Sequence, residues 1–331
     1  MKPVRTAVMG LSAVGEAFVA AVVGDERFRL CAVGDPDALR LAAVRDREGV
    51  PGFGDFRSLI VEMAREGLDL LLVGAEPHES AELLPLAARH GVAVLHKAPF
   101  ARTAGEARQI VAAFAAAARP LWVTRPLGFE KAYAALIEAD APPFSATVSV
   151  RATARDLAGW RGDSKRAGGG VLLYDAYEQV DLLATIMGPV EQVVAMTAFA
   201  ARGLTARAYD TEDAVVMAMH FAGGRIGAVS AVRGAVDADW RAVLLGSGAE
   251  VELLPGRMKR SVAGGRPKAT MVRTANRFAA QLTAVGDYLQ GRTVAVPGST
   301  GEDHVATVAI IEAAYLSART GAPESPTRML Q

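Results

Sequence analysis

Val4-Arg5-Thr6-Ala7-Val8-Met9-Gly10-Leu11-Ser12-Ala13-Val14-Gly15 is the stretch whose order decides the fold. A short apolar run leads into a glycine turn and then into a helical segment reaching about Val23. Strand, glycine turn and helix in that order gather backbone N–H groups and a helix N-terminus at one point, which suits a pyrophosphate. The middle glycine of the usual G-x-G-x-x-G spacing is replaced by Ser12, whose side chain is small enough to let phosphates approach. Gly10, Ser12, Ala13, Val14 and Gly15 form the candidate phosphate cradle.

Working outward, a second strand over 28–34 ends at Asp35, twenty positions after Gly15, where a ribose-binding carboxylate belongs. Two roles are open to Asp35. It can bind ribose, or it can open the Asp35-Pro36-Asp37 turn and cap the helix that starts near Ala38. The first role favours NAD over NADP, because a carboxylate there repels a 2′-phosphate. Beyond it come an apolar strand at 68–74, the turn Ala75-Glu76-Pro77-His78, a helix over 79–90 and a strand over 92–95. A helix over 104–118 and a strand over 121–124 complete the series. This alternation predicts an α/β dinucleotide-binding domain over 1–124, with a doubly wound parallel sheet.

After residue 125 the rhythm changes. A helix over 129–139 is followed by strands at 145–152, 190–198, 214–221, 226–232 and 242–246, separated by glycine turns. They predict an α+β domain over 125–331 with a mostly antiparallel, open sheet. Within it stand Trp160-Arg161, the triplet Gly168-Gly169-Gly170, and a helix over 171–187. Leu172, Leu173, Ala176, Val180 and Leu183 give that helix an apolar side. Tyr174, Glu178, Asp181 and Thr185 are spaced i, i+4, i+7 and i+11 as a polar stripe, either a working surface or a solvated face. An amphipathic helix carrying Phe278, Leu282, Val285 and Leu289 and a last helix over 303–319 close the chain.

These motifs, in this order, resemble the Gfo/Idh/MocA oxidoreductases along about the whole chain. The resemblance implies a Rossmann-type cofactor domain, a substrate and oligomerisation domain, and NAD(P). It also implies cofactor contacts at Glu76, Pro77, Lys97 and Pro99. The family's Glu-Lys-Pro is Lys97-Ala98-Pro99 here, and its Thr-Pro-Asn is Glu76-Pro77-His78. Its helix aspartate becomes Tyr174 and its catalytic histidine Glu178, while Asp181 is retained. Gly128 stands where an arginine is usual, and Lys131 where a proline is. The candidate catalytic set is therefore Tyr174, Glu178 and Lys97. Lys97 lies one position early, so two directions are open to it: strand parity turns it away from the family lysine's direction, and a turn before Pro99 swings it back. His96 shares the parity of Ala98 and is the other candidate, with burial in the sheet expected for it. The expected function is an NAD(P)-dependent oxidoreductase acting on a small organic substrate with a rebuilt proton relay. The alternative is a non-redox enzyme that keeps the cofactor, or an inactive homologue with a binding role.

The remaining features set bounds. At 331 residues the chain suits about two domains. Thirty-six basic residues balance thirty-six acidic ones, so no global field attracts nucleic acid or an anionic surface. Cys31, the single cysteine, reads as a buried thiol that excludes an internal disulfide, and the five histidines show no metal-ligand spacing. The apolar run before Gly10 is too short for a signal peptide or a membrane span, so a cytoplasmic protein is expected. Strand 214–221 is apolar on both faces, which predicts a dimer or dimer-based oligomer joined through this sheet.

Overall fold

The computed structural model describes every residue except 1, 130–135, 137–142, 154–156, 158, 200–208, 247 and 272–275. The chain forms two compact units. One comprises Met1–Ala101, Glu106–Pro126 and Asn276–His304; the other comprises Arg102–Gly105, Leu127–Ala275 and Val305–Gln331.

In the first unit six strands, β1 (Val4–Met9), β2 (Phe28–Gly34), β3 (Gly52–Phe53), β4 (Leu70–Val73), β5 (Ala93–His96) and β6 (Leu121–Val123), form one parallel sheet. Their order is β3-β2-β1-β4-β5-β6, the Rossmann order, which reverses direction between β1 and β4. The connecting helices are α1 (Ala13–Val23), α2 (Ala38–Glu48), α3 (Phe56–Arg65), α4 (Pro77–Ser80), α5 (Leu84–Arg89) and α6 (Ala104–Ala116). The single helix expected over 79–90 is two helices. Pro85 lacks an N–H and is accommodated in the first turn of α5, where no intrahelical bond is required of it. Cys31 is half-buried on β2 and not fully buried as expected: the β1–β2 register shifts there, pairing Thr6 with Leu30 and Ala7 with Ala32, so Cys31 is the extra residue of a bulge.

The long segment of the second unit opens within α7 (Pro126–Phe129), at Leu127, and most of the helix expected over 129–139, including Lys131, lies outside the described residues. Its eight strands are β7 (Ser145–Thr153), β8 (Val190–Ala198), β9 (Ala214–Phe221), β10 (Arg225–Ala235), β11 (Asp239–Gly246), β12 (Ala249–Leu254), β13 (Arg257–Val262) and β14 (Lys268–Met271). The order is β14-β13-β12-β11-β7-β10-β9-β8, antiparallel except for the parallel β10–β7 pair. The outer three were missed in the sequence because charged residues interrupt their short apolar patterns; of β12 only Val251 and Leu253 are buried. On β9, Val215, Met217, Met219 and Phe221 face inward, while Val216 is 54% exposed on the opposite face. The helix expected over 171–187 is broken into α9 (Val171–Tyr174) and α10 (Tyr177–Met187), preceded by α8 (Ser164–Ala167).

The last helices are α11 (Ala279–Leu289) and α12 (Gly301–Thr320). The expected boundary gave everything after 124 to the second domain; in the structure residues 276–304 group with the first compact unit. Phe278, Leu282 and Val285 join Val8, Phe18, Phe28, Leu72, Leu95 and Trp122 in the core of the first unit. Phe278 packs on Phe18 with ring centroids 4.9 Å apart, and Tyr288 stands edge-on to Trp122 at 5.7 Å. In this strand order α1 and α2 cover one face only at its β1–β3 end, so α11 supplies the missing cover over β4–β6.

Candidate functional site

The turn after β1 is built around backbone contact. Gly10 has φ +83°, and a Cβ there would meet the Ala75 nitrogen at 2.4 Å. A Cβ on Gly15 would meet the Gly10 carbonyl oxygen at 1.8 Å, so α1 can start this close to the strand only as glycine. Ser12 is the N-cap of α1, and its hydroxyl lies 3.4 Å from the Gly74 carbonyl oxygen. The N–H groups of Ala13, Val14 and Gly15 open the helix and have no intrahelical acceptor, which leaves an anion cradle.

Asp35 closes the same region. Its Oδ2 accepts from the Leu11 N–H at 2.6 Å, and its Oδ1 accepts from the Asp37 N–H at 2.8 Å and from the Arg40 guanidinium at 3.1 Å. Of the two roles open in the sequence, the turn is organised by Asp35 but the cap of α2 is Asp37, which accepts from Leu39 and Arg40 N–H groups. Oδ2 retains acceptor capacity for a sugar hydroxyl. The glycine cradle and this carboxylate together fit a dinucleotide.

Farther along the carboxyl edge, Lys97 Nζ lies 2.6 Å from Glu76 Oε1, with side chains only 10% and 13% exposed. Lys97 is thus engaged with the residue that stands in the threonine's place. Pro77 is the first residue of α4 and buried, and Pro99 is buried after a cis peptide bond from Ala98. The Ala98 N–H donates to Thr124 Oγ1 at 2.9 Å. His96 is fully buried between Ser80 Oγ (2.8 Å, to Nε2) and the Lys97 carbonyl (2.5 Å, to Nδ1). A carbonyl only accepts, so the proton sits on Nδ1; the single Ser80 hydroxyl proton is shared between Nε2 and the Glu76 carbonyl, 3.0 Å away. Burial pushes the imidazole down to about 3, which keeps it neutral.

In the second unit Tyr174 and Glu178 do not share one continuous helix. The break at Asp175-Ala176 places Tyr174 at the end of α9 and Glu178, half-buried, in the first turn of α10. The Tyr174 hydroxyl donates to the Ala167 carbonyl at 2.6 Å, and its ring meets Trp160 edge-on at 5.2 Å. Arg161 lies over Trp160 at 4.5 Å. Asp181 is buried and accepts from Thr307 Oγ1 at 2.8 Å, tying α10 to α12.

Sequence reasoning missed the buried charges behind this surface. Arg233 on β10 lies 3.5 Å from Asp175 and 3.6 Å from Asp213, all three side chains under 8% exposed. Glu212 accepts from Leu172 N–H and from the Tyr315 hydroxyl, both at 2.9 Å, and burial pushes its carboxyl upward. The glycine triplet exists for these neighbours: a Cβ on Gly169 would meet the Tyr315 hydroxyl at 2.2 Å, and one on Gly170 the Glu212 carbonyl at 2.2 Å. One signal was available. Arg233 shares the inward parity of Val229 and Ala231, and an arginine at that position in a strand announces a buried partner.

Residues 4–125 match the family model described as oxidoreductase family, NAD-binding Rossmann fold, and residues 142–325 match its C-terminal alpha/beta domain. The chain belongs to the Gfo/Idh/MocA oxidoreductase family. Solved structures share the fold at low identity. An oxidoreductase from Agrobacterium radiobacter in complex with NAD+, L-tartaric acid and magnesium is 19% identical, with TM-score 0.83 over 99% of this chain and 100% of that one. The WlbA dehydrogenase from Bordetella pertussis, in complex with NADH and UDP-GlcNAcA, is 22% identical with TM-score 0.81 over 98% and 99%. Aldose-aldose oxidoreductase from Caulobacter crescentus, complexed with glycerol, is 20% identical with TM-score 0.85 over 98% and 100%. No curated protein matches the chain.

Proposed function

We propose that this family member is an NAD-dependent oxidoreductase of a small hydroxyl-bearing substrate, working with a relay in which Glu178 replaces the family histidine. The observation that carries this reading is Glu178 itself: a half-buried carboxylate at the first turn of α10, at the histidine's position and behind the glycine triplet. When bound, NAD supplies the hydride acceptor. Glu178 takes the hydroxyl proton as the carbon gives up its hydride, and returns it in the reverse direction. Tyr174, braced by Ala167 and Trp160, orients the substrate oxygen, and Arg161 adds positive charge beside the same rings. Lys97 acts through Glu76 and not as the proton carrier. The hydroxyl-bearing ligands of the neighbouring structures, tartaric acid and glycerol, support this substrate class.

The glycine cradle suits either dinucleotide, and Asp35 supports NAD in preference to NADP. The outward face of the second sheet supports a homodimer. Met196, Val216, Ile226 and Val232 on β8–β10 are all exposed there, by 72%, 54%, 57% and 40%.

A second reading has its own support: Ala98 lacks the usual amine, and both Lys97 and the Tyr174 hydroxyl are engaged within the protein. It is a cofactor-retaining protein without redox turnover. One experiment separates them. A panel of small alcohols and hydroxy acids is incubated with protein and NAD, and nicotinamide absorbance is followed. The oxidoreductase reading expects turnover that falls about 10²-fold in Glu178→Gln and in Tyr174→Phe, with NAD affinity unchanged. Full turnover in both variants removes Glu178 and Tyr174 from the chemistry, and tight NAD with no redox change on any substrate favours the second reading.

A further inference from the structure

The Glu76–Lys97 ion pair joins two positions that the family fills with other residues, and the two replacements are of opposite charge. Each side chain leaves the carboxyl end of a neighbouring parallel strand: β4 ends at Val73 and β5 at His96, which are register partners. The Lys97 N–H donates to the Val73 carbonyl at 2.9 Å, so the backbone holds the lysine's origin against β4. Glu76 is fixed as firmly, its N–H donating to Glu79 Oε2 at 3.1 Å where α4 begins. The pair is close, 2.6 Å, and largely withdrawn from water.

Its place along the sheet decides what it can meet. Asp35 ends β2, on one side of the reversal in strand order; β4 and β5 lie on the other. A dinucleotide spans that reversal with one nucleoside half on each side, and the half that meets Asp35 is the adenosine ribose. The β4–β5 edge is left to the nicotinamide half. That ring is the part of the cofactor whose charge changes, positive when oxidised and neutral when reduced.

We propose that the Glu76–Lys97 pair abuts the nicotinamide half and sets the relative affinity for NAD+ and NADH. The carboxylate favours the oxidised ring, the ammonium favours the reduced one, and in low dielectric each acts over several ångströms. As a closed pair they hold the two affinities near balance. This rests on the cofactor reading above and adds to it a determinant of redox-state preference.

The test is a binding cycle, with no turnover required. Dissociation constants for NAD+, NADH and ADP-ribose are measured by titration for the unaltered protein, Lys97→Met, Glu76→Gln and the double variant. Lys97→Met removes the ammonium and keeps the carboxylate, so the ratio Kd(NADH)/Kd(NAD+) rises by about fivefold or more. Glu76→Gln removes the carboxylate charge and keeps the ammonium, so the ratio falls by a similar factor, and the double variant returns toward the starting value. ADP-ribose, which lacks the ring, binds all four alike. Single variants that bind ADP-ribose normally but share one unmoved ratio overturn the proposal while leaving the cofactor reading intact. Failure of the unaltered protein to bind NAD or ADP-ribose defeats both. Should a single variant not fold, amide exchange on the unaltered protein decides. NAD slowing residues 74–80 and 96–99 more than ADP-ribose does supports the proposal, and equal slowing overturns it.

Discussion

Asp35 shows how one carboxylate holds a turn and leaves an acceptor for a ligand. Because Arg40 partly neutralises it, the preference for NAD over NADP is expected to be definite but moderate, about tenfold, or ~1.4 kcal/mol. Calorimetric titration with both cofactors measures it, and Asp35→Ser should bring the two affinities together; equal binding by the unaltered protein removes Asp35 from the ribose role. His96 makes a pH prediction. Its imidazole titrates near 6.5 in the unfolded chain and at about 3 when buried. Between those values the unfolded chain binds the extra proton, so stability is full above pH 6.5 and falls as pH drops toward 3. Denaturant melts across that window should show His96→Gln losing up to ~1.4 kcal/mol per pH unit of the slope; identical slopes would sink the assignment. The phosphate turn and Asp35 were legible in the sequence because local spacing determines them. The Lys97–Glu76 pair was not, since twenty-one positions separate two residues that meet only when β4 and β5 lie side by side.

At the scale of elements, the break between α9 and α10 is the feature periodicity could not show. The apolar residues 172, 173, 176, 180 and 183 fit one helix, but Asp175 turns inward to Arg233 and interrupts it. A buried ion pair overrides a helical pattern because an unpaired buried charge costs more than a lost helical turn. Arg233→Leu removes the buried cation that pairs with Asp175 and Asp213, and should lower stability by about 3–5 kcal/mol in chemical denaturation. A change under ~1 kcal/mol would show that the pairing contributes little. Tyr174→Phe, which removes the bond to Ala167, should cost about 1 kcal/mol, so its effect on turnover can be read beside its effect on folding.

For the whole molecule, parity along β9 was legible from its sequence, while what meets its outward face was not. Light scattering at micromolar concentration should give a dimer or a multiple of it, and Val216→Lys with Met196→Glu should give monomers; a monomeric unaltered protein would count against assembly through this sheet. Order along the chain also differs from order in space. Residues 276–304, which complete the first unit's core, follow the whole second sheet in the sequence. A ribosome therefore finishes residues 1–126 long before it makes their cover. During synthesis Phe18, Phe28 and Trp122 wait on an uncovered face, and a nascent chain stalled before residue 276 is a natural client for a chaperone that binds apolar surface.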